Sequence, residues 1–345
     1  MTVKVKYKRI CLEASSICNL RCHSCPTASK AILPVVGNGF LRLHDFQKLL
    51  VENRWIEEIE LSNYGEIFLN PDLLEIIKHA YERKVILTAN NGVNLNNVER
   101  DVLEGLVKYK FRSMSCSIDG ASSETYKRYR IRGHYDTVIE NIKKINLFKK
   151  KYQSTYPLLS WQFVVFGYNE HELPIAKRLA YELNMDFHLK LSWDDKFSPV
   201  LNRELIRKEL GVFSREEYKE KYGVDYMNCI CHMLWEQPQI NWDGKILGCN
   251  RNFWGEFGGN AFKDGLVDSL KNEKIEYARN MLTGKKDTRD DIPCATCSIY
   301  LHRKARSQYL NRSITVRALS FVSRKIELAR YRQQLRKLFG SARSR

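Results

Sequence analysis

Over the first two hundred residues, short apolar runs alternate with stretches whose apolar positions recur every three to four residues. The runs predict strands at 10–14, 59–62, 85–88, 113–118, 163–166 and 187–191. Between them the spacing of Leu73, Leu74, Ile76, Ile77, Ala80 and Tyr81 predicts a helix, with Asn70 as its N-cap and Pro71 in its first turn. Further helices are predicted over 135–150, through Val138, Ile139, Ile142 and Ile145, and over 170–183. Strand alternating with helix implies a parallel sheet with ligands at the carboxyl ends of its strands. Six units are too few to close an eight-fold barrel, so the expectation is an open or partial one. From about residue 201 the pattern changes to a charged helical linker, 202–222. A cysteine-bearing region with short strands follows, in which Trp242-Asp243-Gly244-Lys245 predicts a hairpin turn.

Composition adds two things to this picture. The chain has 345 residues and a net charge of +17, unevenly placed: residues 301–345 carry 13 Lys/Arg against the single acid Glu327. The body is nearly balanced, and the tail is a separate electrostatic object. The ten cysteines come without a secretory pattern at MTVKVKYKRI and without any apolar run of membrane-spanning length. That combination argues for metal or redox chemistry in a reducing cytoplasm and against a disulfide scaffold.

Cys18, Cys22 and Cys25 follow the first predicted strand with spacing C-x3-C-x2-C. Three thiolates in eight residues can close on one metal centre. Zinc would want a fourth ligand, for which only His23 or Cys11 is near. A 4Fe–4S cluster held by three cysteines keeps one iron open. The stretch from Cys18 to Pro26 resembles the cluster loop of the radical S-adenosylmethionine (radical SAM) superfamily. That resemblance implies a partial (β/α)6 barrel, a 4Fe–4S cluster on these cysteines, and S-adenosylmethionine bound at the open iron and cleaved to a 5′-deoxyadenosyl radical. It also implies a flavodoxin- or ferredoxin-type electron donor. Later strand ends resemble the family's cofactor motifs: Tyr64-Gly65-Glu66 for the methionine amino group, Asn90-Asn91-Gly92, and Ser117-Ile118-Asp119-Gly120. Arg130 matches an arginine that pairs with the methionine carboxylate. Ser24 stands where the family usually has a large or aromatic residue supporting the adenine, and Tyr64 where glycine is common. Cys116 and Cys11 are expected to be packing residues, Cys116 because Ser115, Ser117 and Asp119 share the opposite face of the strand.

Cys231, Cys249, Cys294 and Cys297 are spaced C-x17-C-x44-C-x2-C. This resembles the twitch and SPASM domains that bind auxiliary Fe–S clusters behind radical SAM barrels, and four ligands imply one further 4Fe–4S cluster. A structural zinc knuckle satisfies the same four thiolates. Cys229 is left as a spare thiol, an alternative ligand or a hydrogen-atom donor. The expected organisation is a barrel at 1–200, a linker helix and auxiliary domain at 201–300, and a basic amphipathic tail at 301–345.

The tail, with Leu319, Val322, Ile326 and Ala329 at helical spacing, has three readings: a helix packed on the body, an anchor on an anionic membrane surface, or a polyanion-binding arm. No nucleic-acid recognition motif accompanies its charge, so no specific nucleic acid is expected. For a small polar substrate the candidate residues are Lys190, Trp193, Asp194 and Asp195 after the sixth strand, with Gln162 and Tyr168 about the fifth. The arrangement is similar to that of single-auxiliary-cluster aminocyclitol dehydrogenases, which implies an oxidoreductase acting on a sugar or cyclitol with the auxiliary cluster as electron acceptor. The competing readings are a radical SAM epimerase or peptide-modifying maturase and, from another class, a zinc protein that binds polyanions through its tail.

Overall fold

The computed structural model describes residues 7–310, so the expectations for 311–345, most of the tail, lie outside the described residues. Six strands, β1 (Arg9–Leu12), β2 (Glu58–Glu60), β3 (Ile86–Val93), β4 (Ser113–Ser117), β5 (Leu158–Val165) and β6 (Asp186–Leu191), pair in parallel and in sequence order. Helices make the crossovers: α1 (Leu43–Glu52), α2 (Leu73–Glu82), α3 (Arg100–Lys108), α4 (Ser123–Tyr129), α5 (Tyr135–Lys151) and α6 (Leu173–Glu182). Parallel neighbours require such crossovers, because a tight turn only joins antiparallel strands.

The strands are apolar on one face only. Ile10, Leu12, Ile59, Leu87, Ala89, Met114, Cys116, Leu159, Trp161 and Phe163 are buried together with Phe46, Ile76, Leu106, Ile142 and Ile145 of the helices. The alternate positions face inward and are mostly polar: Glu58, Glu60, Thr88, Ser113, Ser115, Ser160, Asp186, His188 and Lys190 line one chamber of about 550 Å³. A parallel sheet covered on both faces reads as continuous apolar runs; this period-two alternation instead makes a hydrophilic interior. Cys116 lies in the core, as its parity requires, while Cys11 is buried but faces the chamber.

Three predicted helices differ in detail. α2 begins at Leu73 after Asp72, and Asn70 is no N-cap: its side-chain amide donates to the carbonyls of Ala14 (2.8 Å) and Leu41 (2.9 Å). Residues 170–172 form a 3-10 turn ahead of α6. The linker is two helices, α7 (Arg203–Leu210) and α8 (Arg215–Tyr222), broken at Gly211, whose φ of 79° ends α7 in the left-handed conformation.

The cysteine-bearing region joins the same sheet. β7 (Gln239–Ile240) pairs in parallel with β1, and β8 (Ile246–Gly248) antiparallel with β7, giving the order β6-β5-β4-β3-β2-β1-β7-β8. The hairpin turn grips the segment that follows the first cysteines: Trp242 Nε1 and Asn241 Nδ2 both donate to the Val36 carbonyl at 2.9 Å. The short α9 (Met233–Glu236) and α10 (Leu266–Ser269), with α11 (Glu273–Leu282) and α12 (Ser298–Ala305), complete the region. Among the described residues, no helix is long and apolar enough to cross a membrane.

Candidate functional site

The loop leaving β1 carries Cys18, Cys22 and Cys25 to the carboxyl ends of the strands. There they line a pocket of about 270 Å³ with Gly65, Glu66, Asn91, Ser117, Gln162, Arg130 and Lys190. The loop is pinned from below. Arg21 N donates to the Ile131 carbonyl (3.0 Å), Arg130 Nη1 approaches Cys22 Sγ at 3.5 Å, and Asn94 Nδ2 lies 3.9 Å from Cys18 Sγ. Leu20, Cys22, Tyr129 and Phe166 pack as a small apolar cluster behind it. Burial pushes the Cys18 thiol up to about 12 and raises that of Cys22, while Arg130 beside Cys22 opposes the rise. Thiols so placed are ionised by a metal rather than by solvent.

Two buried carboxylates shape the loop after β2. Glu13 accepts hydrogen bonds from the backbone N–H of Tyr64 (3.0 Å) and Gly65 (3.2 Å), and burial raises it to about 8. Glu66, raised to about 7 by burial, accepts from Asn94 N at 2.6 Å and Phe68 N at 3.2 Å. Gly65 is required between them, since a Cβ there would lie 2.1 Å from the Ser15 carbonyl oxygen and 2.7 Å from Ile17 N. Both obstacles are backbone, so they yield only if the loop moves. Gly65→Ala is therefore expected to cost about 3 kcal/mol of stability. Thermal denaturation checks this, and a variant with unchanged melting would refute it.

Arg130 and Asp119 form a nearly dry pair. Asp119 is fully buried, its Oδ2 accepting from Arg130 Nε at 2.7 Å and Nη2 at 2.5 Å, and its Oδ1 accepting from Val164 N at 2.7 Å. Such pairing is how a buried guanidinium stays charged. Arg130 lines the pocket whereas Asp119 does not, so Asp119 acts as a positioning residue. Asn91 is fixed in a similar way: its N–H donates to Ser62 Oγ (3.2 Å), its Nδ2 donates to the Ser62 carbonyl (2.8 Å), and Glu60 accepts from Asn90 N. Gly92, at φ 137°, presents no side chain to Ser117 Oγ, which a Cβ would approach to 2.7 Å.

Residues 12–173 match the model of the Radical SAM superfamily. Over just under half of its length the chain is thus similar to that superfamily. Over 123 residues it is 29% identical to the AdoMet-dependent heme synthase of Methanosarcina barkeri; the match covers 35% of this chain and about a third, 34%, of that protein's length. In fold it is similar to SuiB of Streptococcus suis, solved with S-adenosylmethionine bound, at TM-score 0.59 and 14% identity over 86% of this chain and 72% of that one. It is also similar to anSMEcpe with bound AdoMet, at TM-score 0.54 and 17% identity over 97% and 96% of the two chains.

The structure brings Gly65, Glu66, Asn91, Ser117 and Arg130 into one pocket with the three cysteines. Lys190 and Asn91 line both this pocket and the chamber beneath it, so the two spaces share a wall. Burial lowers Lys190, whose Nζ donates to Gln162 Oε1. Asp194 and Asp195 do not line the pocket: Asp194 Oδ2 accepts from Ser24 Oγ at 2.5 Å, and Asp195 is raised by partial burial with the charge of Arg215 opposing. The chamber wall of Glu58, Thr88, Ser113, Ser115, Ser160 and His188 was not anticipated from the sequence. The signal for it was present as polar residues at every second strand position.

Cys231, Cys249, Cys294 and Cys297 line a second, small pocket with Ile230, Leu234, Trp254, Phe257 and Tyr300, free of carboxylate and imidazole. Burial pushes Cys231 up to about 12 and Cys249 to about 11, and raises Cys294, the neighbouring thiols adding to each. Soft sulfur donors in an apolar pocket fit an iron–sulfur cluster and equally suit zinc. Among the described residues no three His, Cys, Asp or Glu are drawn together tightly enough to hold a single metal ion. Cys229 is exposed and lines neither cysteine pocket nor the chamber. The segment after Cys249 touches the first site directly. Asn63 Nδ2 donates to the Asn250 carbonyl (3.0 Å), Asn250 Nδ2 to Asn91 Oδ1 (3.2 Å), and Tyr64 Oη to the Asn252 carbonyl (2.7 Å). Tyr64, where the family favours glycine, is thus a strut between the two cysteine regions.

Proposed function

We propose that this chain is a radical SAM oxidoreductase that removes two hydrogens from a small polar substrate, with Cys18, Cys22 and Cys25 holding one 4Fe–4S cluster and Cys231, Cys249, Cys294 and Cys297 a second. When loaded, the first cluster would supply the electron for splitting S-adenosylmethionine into methionine and a 5′-deoxyadenosyl radical, and the second would offer an acceptor for the one electron that the substrate has still to lose. Glu66 receives the methionine ammonium and Arg130, held by Asp119, its carboxylate, each ion meeting a fixed opposite charge. Asn91 and Ser117 offer hydrogen bonds between these ends. The substrate occupies the chamber below, whose hydroxyl, amide and carboxylate lining suits a hydroxylated molecule. Lys190, lowered by burial and standing on the shared wall, takes the proton that the substrate loses.

The observation that carries this reading is the hydrophilic chamber sharing Lys190 and Asn91 with the pocket of the three cysteines. Anaerobic incubation of cluster-loaded protein with S-adenosylmethionine, dithionite and candidate sugars and cyclitols tests it. The expected result is one 5′-deoxyadenosine per product, the product lighter than its substrate by two hydrogens. A product of unchanged mass carrying solvent deuterium at one carbon would replace the dehydrogenase by an epimerase.

A further inference from the structure

The pocket of the three cysteines holds more positive than negative charge. Of the charged side chains that line it, Glu66 and Arg130 are opposite in sign, which leaves Lys190 and Arg215 over. Arg215, the first residue of α8, is half-buried, with its guanidinium 4.8 Å from the centre of the Tyr226 ring. It donates through Nε and Nη2 to the Leu191 carbonyl at 3.4 and 3.2 Å, and Lys190 Nζ donates to Gln162 Oε1. Both acceptors are neutral oxygens. Among the described residues, neither cation reaches a carboxylate at ion-pair distance. Burial lowers Arg215; Tyr226, Asp225 and Asp195 oppose this from further off, and Arg251 adds to it. Arg251 Nε is itself buried without a partner among the described residues.

A guanidinium stays charged at physiological pH, and one held in a half-dry pocket recovers its lost hydration only from an anion. The cofactor is no source of that anion. It carries an ammonium and a sulfonium against one carboxylate, and Arg130 meets the carboxylate. The cluster on its three thiolates is anionic, and the cofactor's excess positive charge offsets it. Lys190 and Arg215 therefore keep their surplus when the pocket is loaded. Lys190 also lines the chamber, and the Leu191 carbonyl next to it holds Arg215. A molecule in the chamber that extends past Lys190 comes to Arg215.

We infer that the substrate carries an anionic group, phosphoryl or carboxylate, which Arg215 binds at the edge of the cofactor pocket. The inference rests on the proposal that this pocket takes S-adenosylmethionine and the chamber the substrate. Isothermal titration of S-adenosylmethionine into the anaerobic, cluster-loaded full chain tests it, in potassium phosphate, acetate or chloride of equal ionic strength. An oxyanion on Arg215 places negative charge beside the cationic cofactor. Phosphate or acetate should therefore tighten S-adenosylmethionine about fivefold over chloride, and the stronger of the two names the group. Arg215→Gln should abolish the difference, as should Arg215→Met, which keeps an aliphatic stem over the Tyr226 ring. No tightening by either oxyanion in the wild type would overturn the assignment, and that comparison needs no variant to fold. Weakening by them would overturn it as well, by placing Arg215 with the cofactor's own carboxylate. Tightening that persists in both variants would also overturn it, since the anion would then sit elsewhere. Failure of the wild type to bind S-adenosylmethionine in chloride would instead overturn the underlying proposal for the pocket.

Discussion

Replacing Cys18, Cys22 and Cys25 together by alanine is expected to abolish release of 5′-deoxyadenosine from S-adenosylmethionine under dithionite, and to leave in place the iron of the second cluster proposed for the other four cysteines. The three sulfurs share one pocket with Glu66 and Arg130 and are the complete thiol complement of that pocket. No other side chain lining it is a soft donor, so nothing substitutes when they are lost. The second set sits in a separate pocket built on β8 and the segments from the 3-10 turn Asn228–His232 to α12, with a mostly apolar lining. Fold should survive the change, because alanine removes only sulfur while Leu20, Tyr129 and Phe166 keep their packing. Iron and sulfide analysis, a melting curve and chromatographic assay of 5′-deoxyadenosine are the measurements. A triple variant that still makes 5′-deoxyadenosine above the protein-free background refutes the assignment of the first cluster.

The second large effect concerns the other four thiols. Changing Cys231, Cys249, Cys294 and Cys297 to alanine should leave 5′-deoxyadenosine release in place and stop formation of the oxidised product. Removing a hydrogen atom leaves a substrate radical, and completing a two-electron oxidation needs somewhere for the remaining electron to go. Cys249 is adjacent to Asn250, which hydrogen-bonds with both Asn63 and Asn91 at the first site. The acceptor would thus border the space where the radical forms. Mass spectrometry of the substrate pool decides the matter. Oxidised product formed at the wild-type rate by the four-alanine protein, with its melting transition intact, refutes the electron-acceptor role. Since Cys229 lines neither site, Cys229→Ser should leave product formation unaltered.

Much of this arrangement is readable in the sequence, and the misses have physical causes. The spacing of Cys18, Cys22 and Cys25 and the residues after β2, β3 and β4 lie beyond apolar runs that are visible in the sequence, and Arg130 follows at the end of α4. β7 and β8 are different. Two- and three-residue strands carry no periodicity, and their partner β1 lies more than two hundred residues away, so the sheet's extension is invisible locally. Asn70 looks like an N-cap because its short amide commonly is one. Here the carbonyls of Ala14 and Leu41 are buried acceptors that need a donor, and tertiary demand overrides the local preference. Asp194 reads as a candidate base from its place after a strand, yet the nearby Ser24 hydroxyl claims its carboxylate, a pairing across 170 residues. The chamber is hidden for another reason: parallel strands covered on both faces are apolar on both, whereas here the apolar residues alternate with polar ones that line the chamber.

The pairing of β7 with β1 changes where this chain can be cut. A boundary near residue 200 looks natural from composition, but β1 is then stripped of the neighbour that accepts Cys11 N at the Pro238 carbonyl and Glu13 N at the Ile240 carbonyl, both at 3.0 Å. A fragment ending there would present a bare row of donors and acceptors along the very strand that launches the cysteine loop, an invitation to edge-to-edge association. Truncates of the amino-terminal portion should accordingly be sticky rather than soluble miniatures. Truncated chains, domain exchanges and fusions keep the strand sealed only if they carry the chain through the hairpin that ends at Gly248.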